Sequence, residues 1–364
     1  MYVLYAVLNS NTWTSWKANN LDIDKIYNVD CMEGMKNIPD KSIDLIVTDP
    51  PYFKIMTKTW DGIKCDWDNQ WETLEDYLLW VRSWAVECQR ILKDNGSLYV
   101  FADDKICAYI QIELDKIFCL VNSIVWVKPN NMTMKGWTGY RSYASITERI
   151  LFYEQSEAGI PKTGLQSIHN DCNCFIKIKE YMRDERKKCM EFNKFKTIEE
   201  FNIYIRKITN TSSVVDRHYF ADSQYVFPTK EIYIKMQKTG FWQRPYENEG
   251  GLRQEYEGLR REFNASKNYT DVWKFPITST HESTIHPTQK PLKLIDRIIT
   301  VSSKKQDVIL DLFMGSGTTA VAAIRNNRHF MGFELDPDYY KQACERVDAE
   351  IMHEKTKTSI LDCW

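Results

Sequence analysis

The chain has 364 residues, 43% of them hydrophobic, and a formal net charge of −2. This composition supports a full hydrophobic core and excludes both a disordered chain and a protein that binds nucleic acid through overall charge alone. Ten cysteines without a framework spacing favour reduced thiols and a cytoplasmic location over a disulfide-stabilised secreted fold. We expect neither a signal peptide in residues 1–20 nor a membrane span elsewhere.

The first 150 residues alternate between short apolar segments and helical patterns. Strands are predicted at Lys25–Asp30, Ile43–Thr48, Ser97–Phe101, Val121–Val127 and Glu148–Tyr153. Helices are predicted at Met32–Ile38, Leu74–Leu92 and Ile106–Phe118. Strands separated by helices favour a mostly parallel α/β sheet. Ile43–Thr48 barely alternates in polarity, so we expect it to be buried on both faces.

Residues 155–275 interrupt this rhythm. They carry 21 Lys and Arg against 17 Asp and Glu, a local excess of +4, whereas the remainder has 27 against 33. Short helices are predicted at Glu180–Lys188 and Glu199–Lys207, and Thr239–Arg261 has the composition of loops. We interpret this mildly basic stretch as an insertion or a second domain.

The α/β rhythm returns near Pro291. The predicted order is helix Leu292–Ser302, strand Val308–Phe313, helix Thr318–Asn326, strand His329–Leu335 and helix Tyr339–His353. Because neither α/β segment has enough strands alone, we predict that they complete one sheet. The predicted organisation is a first half at 21–154, a variable region at 155–275 and a second half at 276–354.

A glycine turn, DLFMGSGTT at 311–319, lies between a predicted strand and a helix. Gly315 and Gly317 remove side chains, so a ligand can approach the backbone, and the helix start favours an anionic group. Thr318 or Thr319 can cap that helix. Glu334, 17 residues beyond Gly317, is placed to bind ribose hydroxyls. The pattern also fits G-x-G-x-x-A, so dinucleotide cofactors, adenosyl cofactors and a turn without ligand all remain open on these residues.

The motif Asp49-Pro50-Pro51-Tyr52 directly follows the buried strand. In open α/β sheets, ligand contacts lie at the carboxyl ends of the strands. The Asp49 carboxylate and the Pro50 carbonyl can each accept one hydrogen of an NH₂ group, while Tyr52 can stack on a planar ring. The alternative is a strand that ends in prolines with a capping Asp.

An exocyclic amine on a nucleobase is a poor nucleophile because its lone pair is delocalised into the ring. Two acceptors on its hydrogens help the nitrogen to pyramidalise, so that the lone pair can point at an electrophilic methyl group. Positive charge then develops on the nitrogen, and a nearby carboxylate stabilises it. Positioning supplies much of the remaining rate enhancement.

With these motifs the sequence resembles the amino-methylating DNA methyltransferases that use S-adenosylmethionine. Asp49–Tyr52 resembles their catalytic motif, 311–318 their cofactor turn, and His286–Pro291 the segment before that turn. Asn28–Cys31 resembles their strand-end acid. The catalytic motif precedes the variable region and the cofactor turn follows it, an order that resembles the β group of the family. The matches cover roughly residues 25–153 and 284–350.

The resemblance implies a Rossmann-like methyltransferase fold, with a mixed, mostly parallel sheet flanked by helices and an inserted target-recognition region. The cofactor-binding residues that it implies are Asp30, Cys31, Thr288, Lys290, Asp311, Phe313, Gly315, Gly317, Thr318 and Glu334. The implied partner is double-stranded DNA, whose target base must flip out of the helix to meet the methyl group. A homodimer and a cognate restriction enzyme are further expectations from the resemblance.

Two groups of residues are candidates for DNA contact. The basic group is Lys54, Lys58, Lys64 and Arg141. The three lysines lie in the segment that follows the catalytic motif, and Arg141 lies beyond that segment. The aromatic group, in the variable region, is Tyr219, Tyr225, Phe241, Trp242 and Tyr246. For the first segment the alternative is a loop packed on its own tryptophans, and for the second it is an ordinary folded insertion.

No metal is predicted. The closest approach to a zinc site is His169, Cys172, Cys174 and Cys189, and its Cys-x-Cys spacing is poor for zinc.

The target base follows from the motif's first residue. The DPPY motif is compatible with N6-adenine and with N4-cytosine, but the family's cytosine enzymes more often carry Ser in place of Asp, so Asp49 favours adenine. Carbon-5 methylation is disfavoured because no cysteine follows a proline.

Three other kinds of protein remain as alternatives. An NAD-dependent oxidoreductase would use the glycine turn but leaves DPPY unexplained. A catalytically inactive DNA-binding scaffold would not need the intact DPPY. A methyltransferase acting on RNA or on a protein amino group would use the same motifs, and the variable region would decide between these substrates and DNA.

Overall fold

The computed structural model describes residues 21–55, 59–60, 63–64, 66–128, 143, 145–155, 175–211, 218–221, 225–247, 250–265, 269–277 and 288–361. The chain divides into two compact units, one formed by 1–162 with 262–364 and the other by Thr163–Arg261. The predicted boundary at 155 lies near the start of the second unit. The predicted boundary at 275 lies beyond its end, inside the first unit.

An eight-stranded sheet is the centre of the first unit. Its strands are β1 (Lys25–Tyr27), β2 (Ile43–Thr48), β5 (Leu92–Asp103), β6 (Cys119–Val127), β7 (Thr147–Glu154), β8 (Val272–Lys274), β9 (Val308–Asp311) and β10 (His329–Phe333). A separate two-stranded ribbon consists of β3 (Thr59–Trp60) and β4 (Ile63–Lys64). The strand order is β1-β10-β9-β2-β5-β7-β6-β8. Only β7 runs antiparallel to its neighbours, which confirms the predicted mixed, mostly parallel sheet.

The described helices are α1 (Cys31–Met35), α2 (Leu74–Ile91), α3 (Cys107–Leu114), α4 (Ile176–Asn193), α5 (Ile198–Thr209), α6 (Lys230–Gln237), α7 (Leu252–Leu259), α8 (Leu292–Ser302), α9 (Thr318–Arg325) and α10 (Pro337–Leu361). A short 3-10 helix covers Asp66–Asp68. None of the helices in the described part of the chain combines the length and the apolar character that crossing a membrane requires.

Each face of the sheet has its own hydrophobic core. On β2, Ile43 and Ile46 join the core that α1, α2 and α3 cover, whereas Leu45 and Val47 join the core that α8, α9 and α10 cover. Successive side chains of a strand point to opposite faces, so a strand with apolar residues on both faces needs both layers. The predicted burial of β2 on both faces is therefore confirmed, and the first unit is a three-layer, Rossmann-like α/β structure.

The insertion contains regular structure that the sequence patterns did not indicate. Leu252–Leu259 is helical, so the prediction of loops throughout Thr239–Arg261 is wrong there, and α6 was not predicted. β8 was assigned to the variable region, yet it pairs in parallel with β6 in the sheet. A strand of three residues is too short to show alternation, and its pairing depends on a partner far away in the chain.

The second unit contains α4 to α7 around a core of its own. Four of the five aromatic residues predicted as DNA contacts are buried in that core, namely Tyr219, Tyr225, Trp242 and Tyr246, and Phe241 packs against it. The indole N–H of Trp242 donates to the carbonyl of Met182 at 3.3 Å. The prediction that these side chains contact DNA is therefore wrong for the four buried residues, because they form the interior of the unit.

One member of the Cys and His group considered for zinc lies in the described residues. Cys189 is fully buried in the core of the second unit, and its Sγ accepts a hydrogen bond from the Asn193 side chain at 3.5 Å. His169, Cys172 and Cys174 lie outside the described residues.

We expect Trp242→Ala to destabilise the second unit by about 3–5 kcal/mol, because it leaves a large cavity in the core. Hydrogen exchange of the α4 and α5 amides in increasing urea measures this locally. Phe192→Ala is the control, since Phe192 is 77% exposed, and it should change stability by less than about 0.5 kcal/mol. Equal effects of the two substitutions would contradict the core assignment.

Candidate active site

The site lies where parallel strands end at one edge of the sheet. β2 delivers Asp49 there and the neighbouring β9 ends at Asp311, since Ile46 pairs with Leu310 in parallel register. One cavity is lined by residues of both motifs, namely Asp49, Thr288, Lys290, Asp311, Phe313, Gly315 and Thr318. The fold therefore brings the DPPY motif, the segment before α8 and the glycine turn together, as their predicted roles require.

The DPPY motif is held by hydrogen bonds from several directions. The Tyr52 hydroxyl donates to Asp49 Oδ1, and the Tyr52 backbone N–H donates to Asp68 Oδ1 at 2.5 Å. The Tyr77 hydroxyl donates to the Pro51 carbonyl at 2.7 Å. The Pro50 carbonyl accepts no hydrogen bond from the described residues, so it is the free acceptor of the motif.

Lys290 contacts the Asp49 carboxylate directly. Its Nζ lies 2.5 Å from Asp49 Oδ2 and 3.6 Å from Glu148 Oε2, and its side chain is 8% exposed. The same ammonium lies 5.4 Å from the centre of the Tyr52 ring. The sequence placed Lys290 near the cofactor, whereas in the structure its charge is directed at the catalytic motif.

The protonation of this cluster is governed by burial and by alternating charges. Burial raises the pKa of Asp49, the nearby Lys290 ammonium limits the rise, and Glu148 adds to it. Burial alone would lower the pKa of Lys290, but Asp49 and Glu148 outweigh it and the pKa is raised. Burial likewise opposes ionisation of Glu148, yet Lys290 and Lys128 hold its pKa below the usual range. Lys290 and Glu148 are thus both charged in a site with little access to water.

Glu148 and Lys128 are functional candidates that the sequence reasoning missed. Lys128 donates to Glu148 Oε1, and it follows β6 while Glu148 is the second residue of β7. Because β7 is antiparallel, its amino end lies at the edge where the parallel strands end. The only sequence signal was a pair of charged residues at the start of a buried strand, and it does not reveal the direction of that strand.

The glycine turn is fixed against helix α10. Gly315 and Gly317 have φ of +52° and +78°, a region that favours glycine. A Cβ on Gly317 would lie 3.2 Å from the Cβ and 3.3 Å from the carbonyl oxygen of Ala343. Gly317 is therefore required by the turn itself and by helix packing. Arg346 donates to the Ser316 carbonyl at 3.0 Å and to the Thr318 hydroxyl at 2.9 Å, so Thr318 is engaged with α10.

Two buried acids hold the backbone of the turn. Asp311 Oδ1 accepts the Phe313 N–H at 3.1 Å and Oδ2 accepts the Thr319 hydroxyl at 2.6 Å. Glu334 Oε2 accepts the Gly315 N–H at 2.7 Å. Burial raises the pKa of Asp311 to about 7 and also raises that of Glu334. A carboxylate has about four acceptor sites, so Glu334 can still accept from ribose hydroxyls.

The remaining predicted cofactor residues differ in position. Phe313 forms an aromatic wall with Trp80 and Trp84 of α2, at ring distances of 5.4 and 6.4 Å. Asp30 caps α1 by accepting the Met32 N–H at 2.9 Å. Cys31 is buried, and burial raises the pKa of its thiol to about 12. Neither Asp30 nor Cys31 lines the cavity that contains Asp49.

Only one of the four basic residues predicted to contact DNA has a described side chain. Lys54 is exposed, and its Nζ donates to the Glu72 carbonyl at 2.7 Å. Phe53 and Lys54 both have positive φ, so the chain turns sharply after the DPPY motif. Lys64 lies in β4 with its side chain outside the described part, and Lys58 and Arg141 lie outside the described residues.

The sequence matches the model of the DNA methylase family (N6_N4_Mtase) over residues 43–345. The chain belongs to this DNA methylase family. The predictions of an amino DNA methyltransferase and of S-adenosylmethionine as its methyl donor are confirmed.

Two curated relatives of this methylase align over most of both chains. A DNA adenine methyltransferase, YhdJ, from Escherichia coli strain K12 is 26% identical over 88% of this chain and 81% of its own. The type II methyltransferase M.BglII from Bacillus subtilis is 27% identical over 90% of this chain and 70% of its own. The structure of the M1.HpyAVI complex with SAM covers 89% of this chain and 98% of its own, at 20% identity and a TM-score of 0.48.

We expect the contribution of Asp311 to the stability of this methylase to fall as pH rises from about 4 to about 7, because Asp311 keeps its proton to higher pH in the folded state than in the unfolded state. Each pH unit in that window should cost at most about 1.4 kcal/mol. Urea unfolding at several pH values, with Asp311→Asn as the comparison, measures this contribution. Relative to the natural chain, the free energy of unfolding of Asp311→Asn should increase up to about pH 7, and the difference between the two proteins should then stay constant. A gap that does not vary with pH would show that Asp311 does not titrate in this range.

Proposed function

We propose that this methylase transfers a methyl group from S-adenosylmethionine to the N6 amine of an adenine flipped out of double-stranded DNA. The observation that carries the proposal is the shared cavity. The Asp49 carboxylate and the backbone of the glycine turn line it together, so an amine held by Asp49 and a cofactor held by the turn meet there.

Residues that line the cavity, together with two acids outside its lining, fit the cofactor. The Thr48 hydroxyl lines the cavity, is buried and has no hydrogen-bond partner among the described residues, so a polar ligand would satisfy it. Phe313 offers an apolar face, and the residues around Gly315 can contact the methionine end. Glu334 is the candidate for the ribose hydroxyls. Asp30, at the end of the first βα connection, is the candidate for the adenine end.

The DPPY residues act on the target base. When bound, the cofactor supplies an electrophilic methyl group. Asp49 and the free Pro50 carbonyl each accept one hydrogen of the target amine, which directs the nitrogen lone pair out of the plane of the ring. Tyr52 stacks on the flipped base and offsets part of the cost of unstacking it, which is a few kcal/mol. The charge of Asp49 stabilises the positive charge that develops on the nitrogen as the N–C bond forms and the C–S bond breaks, and the methylated amine then becomes neutral by releasing one proton.

Adenine is the favoured base for two reasons. Asp49 occupies the position at which the family's cytosine enzymes more often carry Ser. In addition, one relative is named a DNA adenine methyltransferase. The second candidate is N4-cytosine, whose amine would meet the same two acceptors.

Expression in a host without DNA methylation, followed by mass spectrometry of the DNA nucleosides, tests the reaction. We expect N6-methyladenine from the natural chain. Asp49→Ala should lower transfer by about a thousandfold or more, since it removes both an acceptor and the stabilising charge, while cofactor affinity remains. Detection of N4-methylcytosine instead would leave the proposed mechanism in place and identify cytosine as the target base. Near-normal transfer by Asp49→Ala would falsify the assignment of Asp49.

We further propose that the second unit recognises DNA, through a basic groove on α4 instead of through its aromatic residues. The groove is lined by Arg183, Arg186, Lys187 and Lys194 together with two acids, Asp184 and Glu191. Arg186 stacks on the Phe220 ring at 5.2 Å and has no carboxylate partner among the described residues. Burial, and then the charge of Arg183, lower the pKa of Arg186. A partly buried guanidinium without a counter-charge is suited to a phosphate group.

Arg186→Gln should weaken binding to a duplex of random sequence by about threefold or more, and should reduce the slope of log K against log salt by about one. Fluorescence anisotropy over a salt series measures both quantities. Arg206→Gln is the matched control, because Arg206 lies on α5 and is already paired with Glu199 at 2.9 Å. Equal slopes for Arg186→Gln and the natural chain would sink the phosphate assignment.

Two partner predictions complete the proposal. One relative is named a type II methyltransferase, which supports a cognate restriction enzyme for this chain as well. A homodimer stays a prediction from the resemblance.

A further inference from the structure

Four largely buried charges of alternating sign form a row beside the catalytic motif. In order they are Asp49 after β2, Lys290 before α8, Glu148 at the start of β7 and Lys128 after β6. Their side chains are 21%, 8%, 13% and 17% exposed. Buried charges are costly unless they are paired, so the row is an arrangement that the fold actively maintains.

The row raises a difficulty for the reaction. Both oxygens of Asp49 already accept a hydrogen bond, Oδ1 from Tyr52 and Oδ2 from Lys290. The proposed function requires Asp49 to accept a hydrogen from the incoming amine. It also requires the negative charge of Asp49 to act on the nitrogen that becomes positive, and an ammonium at 2.5 Å opposes this. Each carboxylate oxygen has a second acceptor site, so the amine can still bind. The charge of Lys290 nevertheless has to move away from Asp49 for the carboxylate to act on the nitrogen with its full negative charge.

Glu148 provides a second carboxylate with which the displaced Lys290 ammonium can pair. Its Oε2 is buried, has no hydrogen-bond partner among the described residues and lies 3.6 Å from Lys290 Nζ. Its Oε1 is held by Lys128, so the carboxylate stays in place while Lys290 moves. Without Glu148 the displaced ammonium would be buried without a partner, which is strongly unfavourable.

We propose that Glu148 is a positioning residue that takes over the ammonium of Lys290 when the target amine binds Asp49. The inference rests on the proposed function, because it presupposes that Asp49 accepts a hydrogen of the amine. In the resting site Lys290 bridges two carboxylates. In the reacting site it pairs with Glu148, and Asp49 Oδ2 faces the base with its full negative charge.

Glu148→Gln tests this role, since it keeps the size of the side chain and removes the charge. We expect the single-turnover rate of methyl transfer to fall by about tenfold or more, because Lys290 stays on Asp49. The dissociation constant of S-adenosylmethionine should change by less than about twofold, since Glu148 does not line the cavity. A normal transfer rate in this variant would overturn the proposal.

The pH profile of the same variant gives a readout that a purely structural role would not move. Among the described residues, the charged and titratable groups around Asp49 are Lys290, Glu148, Tyr52, Tyr77 and Asp311. Glu148 raises the pKa of Asp49, so its removal should shift the acidic limb of the transfer rate to lower pH. A reduced rate whose acidic limb stays where it is in the natural chain would assign Glu148 a structural role only, against the proposal.

Glu113→Gln is the matched control. Glu113 is also a buried carboxylate that pairs with two cations, Arg82 at 2.6 Å and Lys116 at 2.7 Å, but it lies on α3 and does not line the cavity. Its substitution should leave the transfer rate and the pH profile unchanged. An equal loss of rate in both variants would show that the effect of Glu148→Gln is a general loss of stability.

A double substitution separates this proposal from the proposed function. If Glu148 acts through Lys290, Glu148→Gln should cost less than about twofold in a Lys290→Met background. A full tenfold cost in that background would overturn the link to Lys290. The proposed function has its own test in Asp49→Ala, so normal transfer by that variant would remove both proposals, whereas a normal rate in Glu148→Gln would remove only this one.

Discussion

The site depends on keeping a carboxylate charged inside the protein. In the proposed reaction Asp49 acts as an anion that stabilises positive charge on the amine, yet burial raises its pKa and favours the neutral acid. The ammonium of Lys290, at 2.5 Å, opposes that shift. Glu148 is a second carboxylate close to the buried Lys290, and Lys128 completes a set of two positive and two negative groups.

The strand order explains why these groups meet. β2 comes from the first α/β segment, but it lies between β5 of that segment and β9 of the last one. Parallel pairing of Leu45 with Ile309 aligns the ends of β2 and β9, so the catalytic motif and the glycine turn share an edge. The antiparallel direction of β7 then brings Glu148 to the same edge. A parallel β7 would place Glu148 at the opposite end of the sheet.

The insertion between the two halves of the α/β sequence has its own hydrophobic core. It buries its aromatic residues in a core that belongs to the second unit alone, and it leaves charged side chains of α4 on the surface. A region can therefore be rich in aromatic residues without using them for stacking on bases. The feature that points to an anionic partner is Arg186, a guanidinium that is partly buried and has no carboxylate partner among the described residues.

The sequence by itself determined the two α/β segments, the burial of β2 on both faces and the motifs that identify the family. These features follow from local periodicity and from short motifs, which neighbouring residues encode. The tertiary structure alone decided that β8 joins the sheet, that Tyr225 and Trp242 are core residues, and that Lys290 contacts Asp49. It also revealed Glu148, and it showed that Gly317 is required by the packing of Ala343. Each of these features depends on a partner distant in the chain or on the direction of a strand. The local pattern of residues specifies neither the distant partner nor the strand direction.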